Sequence, residues 1–127
     1  MPSPPAYTIY TFGLSALLSG TFALLQPSEF LKTFTLPLPA TAAPPLGLAA
    51  IAMGLYYTLA AYQENRAFFV LSVPMRLLTT AVFWRMGAGE GLAWQGGWRG
   101  AAVWEGVGAL GTGIALLIGG RGRGKSD

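Results

Sequence analysis

Four apolar stretches, each near the length of a bilayer crossing, follow one another along this chain with short breaks between them, at roughly 6–25, 46–63, 67–86 and 101–119. A hydrocarbon core about 30 Å thick takes ~20 mostly apolar helical residues to cross. A soluble four-helix protein would need polar outer faces, and these stretches have none. The expected fold is therefore all-α, a four-transmembrane-helix bundle with both termini on the same side.

Composition agrees. Of 127 residues, 53% are hydrophobic and 10% charged, with mean hydropathy +0.49. Soluble domains carry about 25% charged residues, so a water-facing surface could not be built here. The chain has no histidine and no cysteine. Disulfides, thiolate nucleophiles, imidazole bases and the common zinc sites are excluded. Neither a metal nor a redox cofactor is expected, and no nucleic-acid partner, because the net charge of +3 comes from scattered cations. The one cluster of them, GRGRGKSD at the C-terminus, suits a membrane surface. It is expected to form a disordered basic tail at 121–127, after a transmembrane domain at 1–120.

The breaks carry turn chemistry. Pro27 and LPLPATAAPP (36–45) bound the first loop, since proline removes a backbone donor. QENR (63–66) is short enough to make the second and third spans an antiparallel hairpin. The third connection, 87–100, is glycine-rich. Trp84, Trp94, Trp98 and Trp104 fit the headgroup layer. Arg66, Arg121, Arg123 and Lys125 fall on one side, against Lys32, Arg85 and Arg99 on the other. By the positive-inside rule both termini are expected to be cytosolic, in an endoplasmic reticulum membrane.

Helical spacing sorts the polar residues. In the third span Phe69, Ser72, Val73, Arg76, Thr79, Thr80 and Phe83 share a face, opposite Leu71, Met75, Leu78 and Val82. In the fourth, Glu105, Gly108, Ala109 and Thr112 form a smooth face opposite Val107, Leu110, Ile114 and Leu117. The first span offers Thr8, Thr11, Ser15 and Ser19. The second offers Tyr56 and Tyr57, with Glu64 just beyond its end. Arg76 and Glu105 are the charges deep in the spans, and a buried charge costs several kcal/mol unless paired.

Two readings follow. In the first the pair is a structural ion pair that fixes register; in the second it lines a cavity and acts on a ligand. Side chains lean toward their helix N-termini, which in antiparallel spans pulls the two heads apart, so a bridging group is expected between them. Pro74 is expected to kink its helix and open room beside Arg76, with the threonines after it taking up freed carbonyls.

The stretches PSEFLKTFTLPLP (27–39), GLYYTLAAYQENRAFF (54–69), VPMRLLTTAVF (73–83) and VWEGVGALGTGI (103–114) together resemble a family of small tetraspan integral membrane proteins of fungi and bacteria, grouped as a domain of unknown function. The resemblance implies four spans and a setting near fungal natural-product biosynthesis. It implies no reaction.

The function expected is a membrane-embedded biosynthetic protein acting on a hydrophobic small molecule by cofactor-independent acid–base chemistry: isomerisation, dehydration or cyclisation. Glu105 would be the acid or base, and Arg76 would hold a developing oxyanion. Tyr56, Tyr57, Ser72, Thr79, Thr80 and Glu64 would bind substrate. The alternatives are a non-catalytic subunit of a membrane enzyme complex, in a homo- or hetero-oligomer, and a small carrier or channel.

Overall fold

The computed structural model describes residues 2–88 and 97–124. Trp94 and the end of the expected tail, 125–127, lie outside the described residues. Helix α1 (Pro4–Leu25) is followed by a short α2 (Pro27–Thr33) and a 3-10 turn (Ala40–Ala42). Then come α3 (Ala43–Tyr62), α4 (Arg66–Met86) and α5 (Gly97–Gly124). No strand occurs among the described residues. α1, α3, α4 and α5 are each long and apolar enough to cross a membrane. The protein is a four-span helical bundle.

The helix limits have local causes. Ser3 caps α1, its Oγ accepting from the Ala6 N–H at 3.4 Å, and prolines occupy the first turn, where no intrahelical donor is needed. Pro27 ends α1 by pushing Gln26 out of helical geometry, to φ −135° and ψ 72°. At the tight connection Glu64 takes a left-handed φ of 52°. Asn65 Oδ1 then caps α4, accepting from Phe68 N–H at 3.1 Å.

Four features depart from expectation. The first loop contains α2, whose Pro27, Glu29 and Lys32 are a helix start, an acid in the first turn and a base in the last. α5 begins at Gly97 and continues to Gly124, so the first residues of the expected tail are helical. α4 runs unbroken past Pro74. The hydroxyls after it bond to the carbonyls of Met75 and Arg76, whereas the carbonyl that a proline at 74 releases is that of Val70.

The fourth departure concerns pairing. The turn between α3 and α4 does not make them a packed hairpin. α3 packs along α1, α4 packs along α5, and α1 joins the pairs through α5. α3 and α4 meet near their turn, where the Tyr57 and Phe68 rings stand edge to face, 5.0 Å apart.

Glycine explains the preference. Gly13 and Gly20 on α1 face Gly54 and Gly47 on α3, seven residues apart on each helix. A Cβ on Gly20 would stand 2.6 Å from the Gly47 carbonyl oxygen, and one on Gly54 2.6 Å from that of Gly13. The same spacing continues through the buried Ala6 and Ala61. These small residues let the two backbones approach within contact distance, and carbonyls facing Cα–H groups add weak hydrogen bonds.

Ser3, Pro4, Glu64, Arg66 and Gly119 surround one small cleft at one end of the bundle. The N-terminus therefore lies beside the end of α5. Cysteines introduced at position 2 and at position 126 are expected to react with an impermeant maleimide from the same side of sealed vesicles. Labelling from opposite sides would remove the four-span arrangement.

Candidate functional site

The smooth face of α5 and the polar face of α4 meet, and the charged pair lies between them. Arg76 is 2% exposed and Glu105 8%. The Arg76 Nε donates to Glu105 Oε2 at 3.3 Å. This direct pair corrects the expectation that the two heads are held apart by a bridging group. Nε sits on the stem and reaches Glu105 directly, while the guanidinium leans away toward the N-terminal end of α4. There Nη1 donates to Thr112 Oγ1 at 3.5 Å. The bridging hydroxyl serves the far end of the arginine and does not separate the pair.

The chain of donors can be followed further. Thr8 Oγ1 donates its one proton to the Pro5 carbonyl at 2.7 Å. The 2.7 Å contact between Thr8 and Thr112 hydroxyls must then be donated by Thr112. The sequence runs one way: Arg76 to Thr112, to Thr8, to Pro5. It spreads the guanidinium charge from α4 across α5 into the first turn of α1. The Phe12 ring lies 3.9 Å from the guanidinium carbon, a cation–π contact strengthened by desolvation. Nη2 is buried without a hydrogen-bond partner.

Gly108 makes this possible. A Cβ there would fall on the Arg76 guanidinium. Gly108→Leu is therefore expected to expel the arginine head and to abolish recovery of folded protein in mild detergent. Leu110→Ala, on the 61%-exposed opposite side, should cost far less. Equal losses in size-exclusion profiles would mean that the faces of α5 are reversed.

The other expected site residues divide. Ser72 is buried, but its hydroxyl donates to the Phe69 carbonyl at 2.7 Å. Thr80 donates to the carbonyl of Arg76 itself at 2.8 Å. Tyr57 packs between Phe12 and Phe68, which puts it beside the arginine through Phe12. Thr79 bonds to its own helix at Met75, on an exposed surface. Tyr56 is 66% exposed and points away from the pair, since one residue turns a helix by about 100°. Glu64 lies at the end of the bundle, accepting from Ser3 N–H at 2.8 Å and Ser3 Oγ at 2.5 Å. It ties the start of α1 to the α3–α4 turn. Of the α1 hydroxyls only Thr8 joins the network; Thr11, Ser15 and Ser19 bond to carbonyls of their own helix.

Thr112, Thr8 and Phe12 complete the site and were not among the expected site residues. Their signal is spacing: Thr112 is two helical turns from Glu105, and Phe12 one turn from Thr8.

A cleft of about 440 Å³ opens between α1, α2 and the start of α5. Phe30, Phe34, Leu36 and Trp104 give it apolar walls, and Ser15 and Ser19 line it from α1. Its floor includes Ala101, one turn from Glu105. The Gly97 N–H donates to the Phe34 carbonyl at 2.6 Å, pinning the first loop over this end of the bundle. No family model, characterised protein or solved structure matches the chain.

Proposed function

We propose that the protein binds a hydrophobic small molecule within the membrane, its apolar body in the cleft between α1, α2 and α5 and its polar end toward Glu105. The observation that supports this is the cleft: its size falls in the ~300–1,000 Å³ range of small-molecule sites, with apolar walls and few polar groups. Glu105 is the more open member of the pair, its side chain 11% accessible against 3% for Arg76. In this reading Glu105 is the acid or base of an isomerisation, dehydration or cyclisation, and Arg76 holds it in place. The resemblance to the tetraspan family adds natural-product metabolism as the setting.

Organic extraction of the purified protein, followed by mass spectrometry, tests the binding step. Wild-type protein is expected to carry apolar molecules that Ala101→Trp, which plugs the cleft floor, does not. The same extract from both would sink the proposal.

A second reading has its own support. Arg76 is almost wholly enclosed and already holds a carboxylate, a hydroxyl and an aromatic face. Neither of the two clefts described above is lined by it or by Glu105. In that reading the pair sets the register of α1, α4 and α5, and the protein is a non-catalytic membrane subunit.

A further inference from the structure

The geometry points to a binding site for a single anionic phospholipid on the outer surface between α4 and α5, with an acyl chain in the groove there and its phosphate on Arg66. The groove is open, about 630 Å³, and lined by Arg66, Val70 and Pro74 of α4 and by Ala109, Gly113 and Leu117 of α5, among others. Apart from Arg66 its walls are apolar.

Depth identifies the occupant. Arg66 is the first residue of α4, so it stands where the chain enters the membrane, and the groove reaches down to Pro74. Eight residues of helix span ~12 Å, while one leaflet contributes about half of a ~30 Å core. On the antiparallel α5, the stretch from Leu117 to Ala109 covers the same depth. The groove therefore runs from the membrane edge through most of one leaflet and stops two residues short of Arg76, which matches an acyl chain hanging from its own headgroup. Small residues hollow it out: a Cβ on Gly113 would meet only Val73, at 3.8 Å.

Charge identifies the headgroup. Arg66 is exposed and forms no ion pair among the described residues. The acid nearest in sequence, Glu64, has both oxygens on Ser3. α5 passes beside Arg66 at Gly119, and no carboxylate lines the groove. A phosphate without a compensating ammonium group fits this end better than a zwitterion, and each cation near an anionic lipid surface contributes about fivefold in binding.

The test is native mass spectrometry of the full chain in detergent, titrated with dioleoyl phosphatidylglycerol or dioleoyl phosphatidylcholine. One phosphatidylglycerol should be retained at least about fivefold more tightly than phosphatidylcholine, and inorganic phosphate should not displace it. Arg66→Ala should remove that preference, while Arg85→Ala, at the other end of α4, should not. Leu110→Trp adds bulk to a lipid-exposed groove wall without touching the helix interface, and should weaken retention of both lipids. Equal retention of the two lipids by wild type, equal effects of the two arginine variants, or full retention by Leu110→Trp would each overturn the assignment.

Discussion

Gly20→Ala and Gly54→Ala are each expected to prevent assembly of the bundle, although each adds only one methyl group. Alanine normally favours a helix over glycine by about 1 kcal/mol, so intrinsic propensity argues for stabilisation. Contact decides otherwise. The added Cβ would lie 2.6 Å from a backbone carbonyl oxygen of the facing helix, and no side-chain rotation relieves a clash with backbone. α1 and α3 would have to separate along their whole shared length, losing the opposite Gly–Gly contact as well. Gly111→Ala is the matched control, because nothing lies within 4 Å of its Cβ position; it should be neutral or better. Thermal unfolding in detergent, followed by size-exclusion chromatography, reads the difference. If Gly20→Ala melts with Gly111→Ala, the α1–α3 interface is not as close as described.

Glu105→Gln should produce the next largest loss, and the asymmetry of the pair makes it informative. Breaking a buried ion pair by removing one partner costs ~3–5 kcal/mol, because the remaining charge is left uncompensated. A carboxyl group can shed its charge by taking a proton, whereas a guanidinium keeps its charge at any ordinary pH. Stranding Arg76 should therefore be worse than stranding Glu105, and Glu105→Gln should melt below Arg76→Met. The double variant should recover most of the stability. Such recovery without activity on a bound small molecule is the pattern of a pair that serves chemistry as well as fold. Loss of stability in the double variant as deep as in Glu105→Gln would mean that the ion pair is not the source of the cost.

The faces of α4 and α5 were legible in the sequence because a few polar residues stand out at helical spacing in apolar surroundings. Arg76 and Glu105 were found that way, and both are buried. The pairing of helices was not legible by the same means. A short turn argued for α3 against α4, but hydropathy is nearly blind to glycine, and the seven-residue spacing of Gly13, Gly20, Gly47 and Gly54 decided the partners. Tyr56 was misplaced for a simpler reason. Tyr56 and Tyr57 are adjacent in sequence, and a helix that turns Tyr57 inward leaves Tyr56 exposed. Phe12 has only its spacing from Thr8 as a signal, since an aromatic ring in a membrane helix looks the same whether it faces lipid or a guanidinium.

The division into two consecutive helical pairs, α1 with α3 and α4 with α5, also orders events during synthesis. Residues up to Tyr62 contain everything needed for the first pair, including all four facing glycines. The second pair has a waiting time built into it. Arg76 leaves the ribosome 29 positions before Glu105, which at ~5–20 residues per second is about 1.5 to 6 seconds. During that interval α4 holds a permanent charge with no carboxylate to meet it, and three of the groups that later surround the arginine head, Glu105, Gly108 and Thr112, have yet to be made. α4 is thus poorly suited to enter the bilayer alone and well suited to enter together with α5. In a chain stopped at residue 96, a cysteine at position 88 should react with an impermeant maleimide from the side of the α3–α4 turn, while in one stopped at residue 119 it should react from the opposite side.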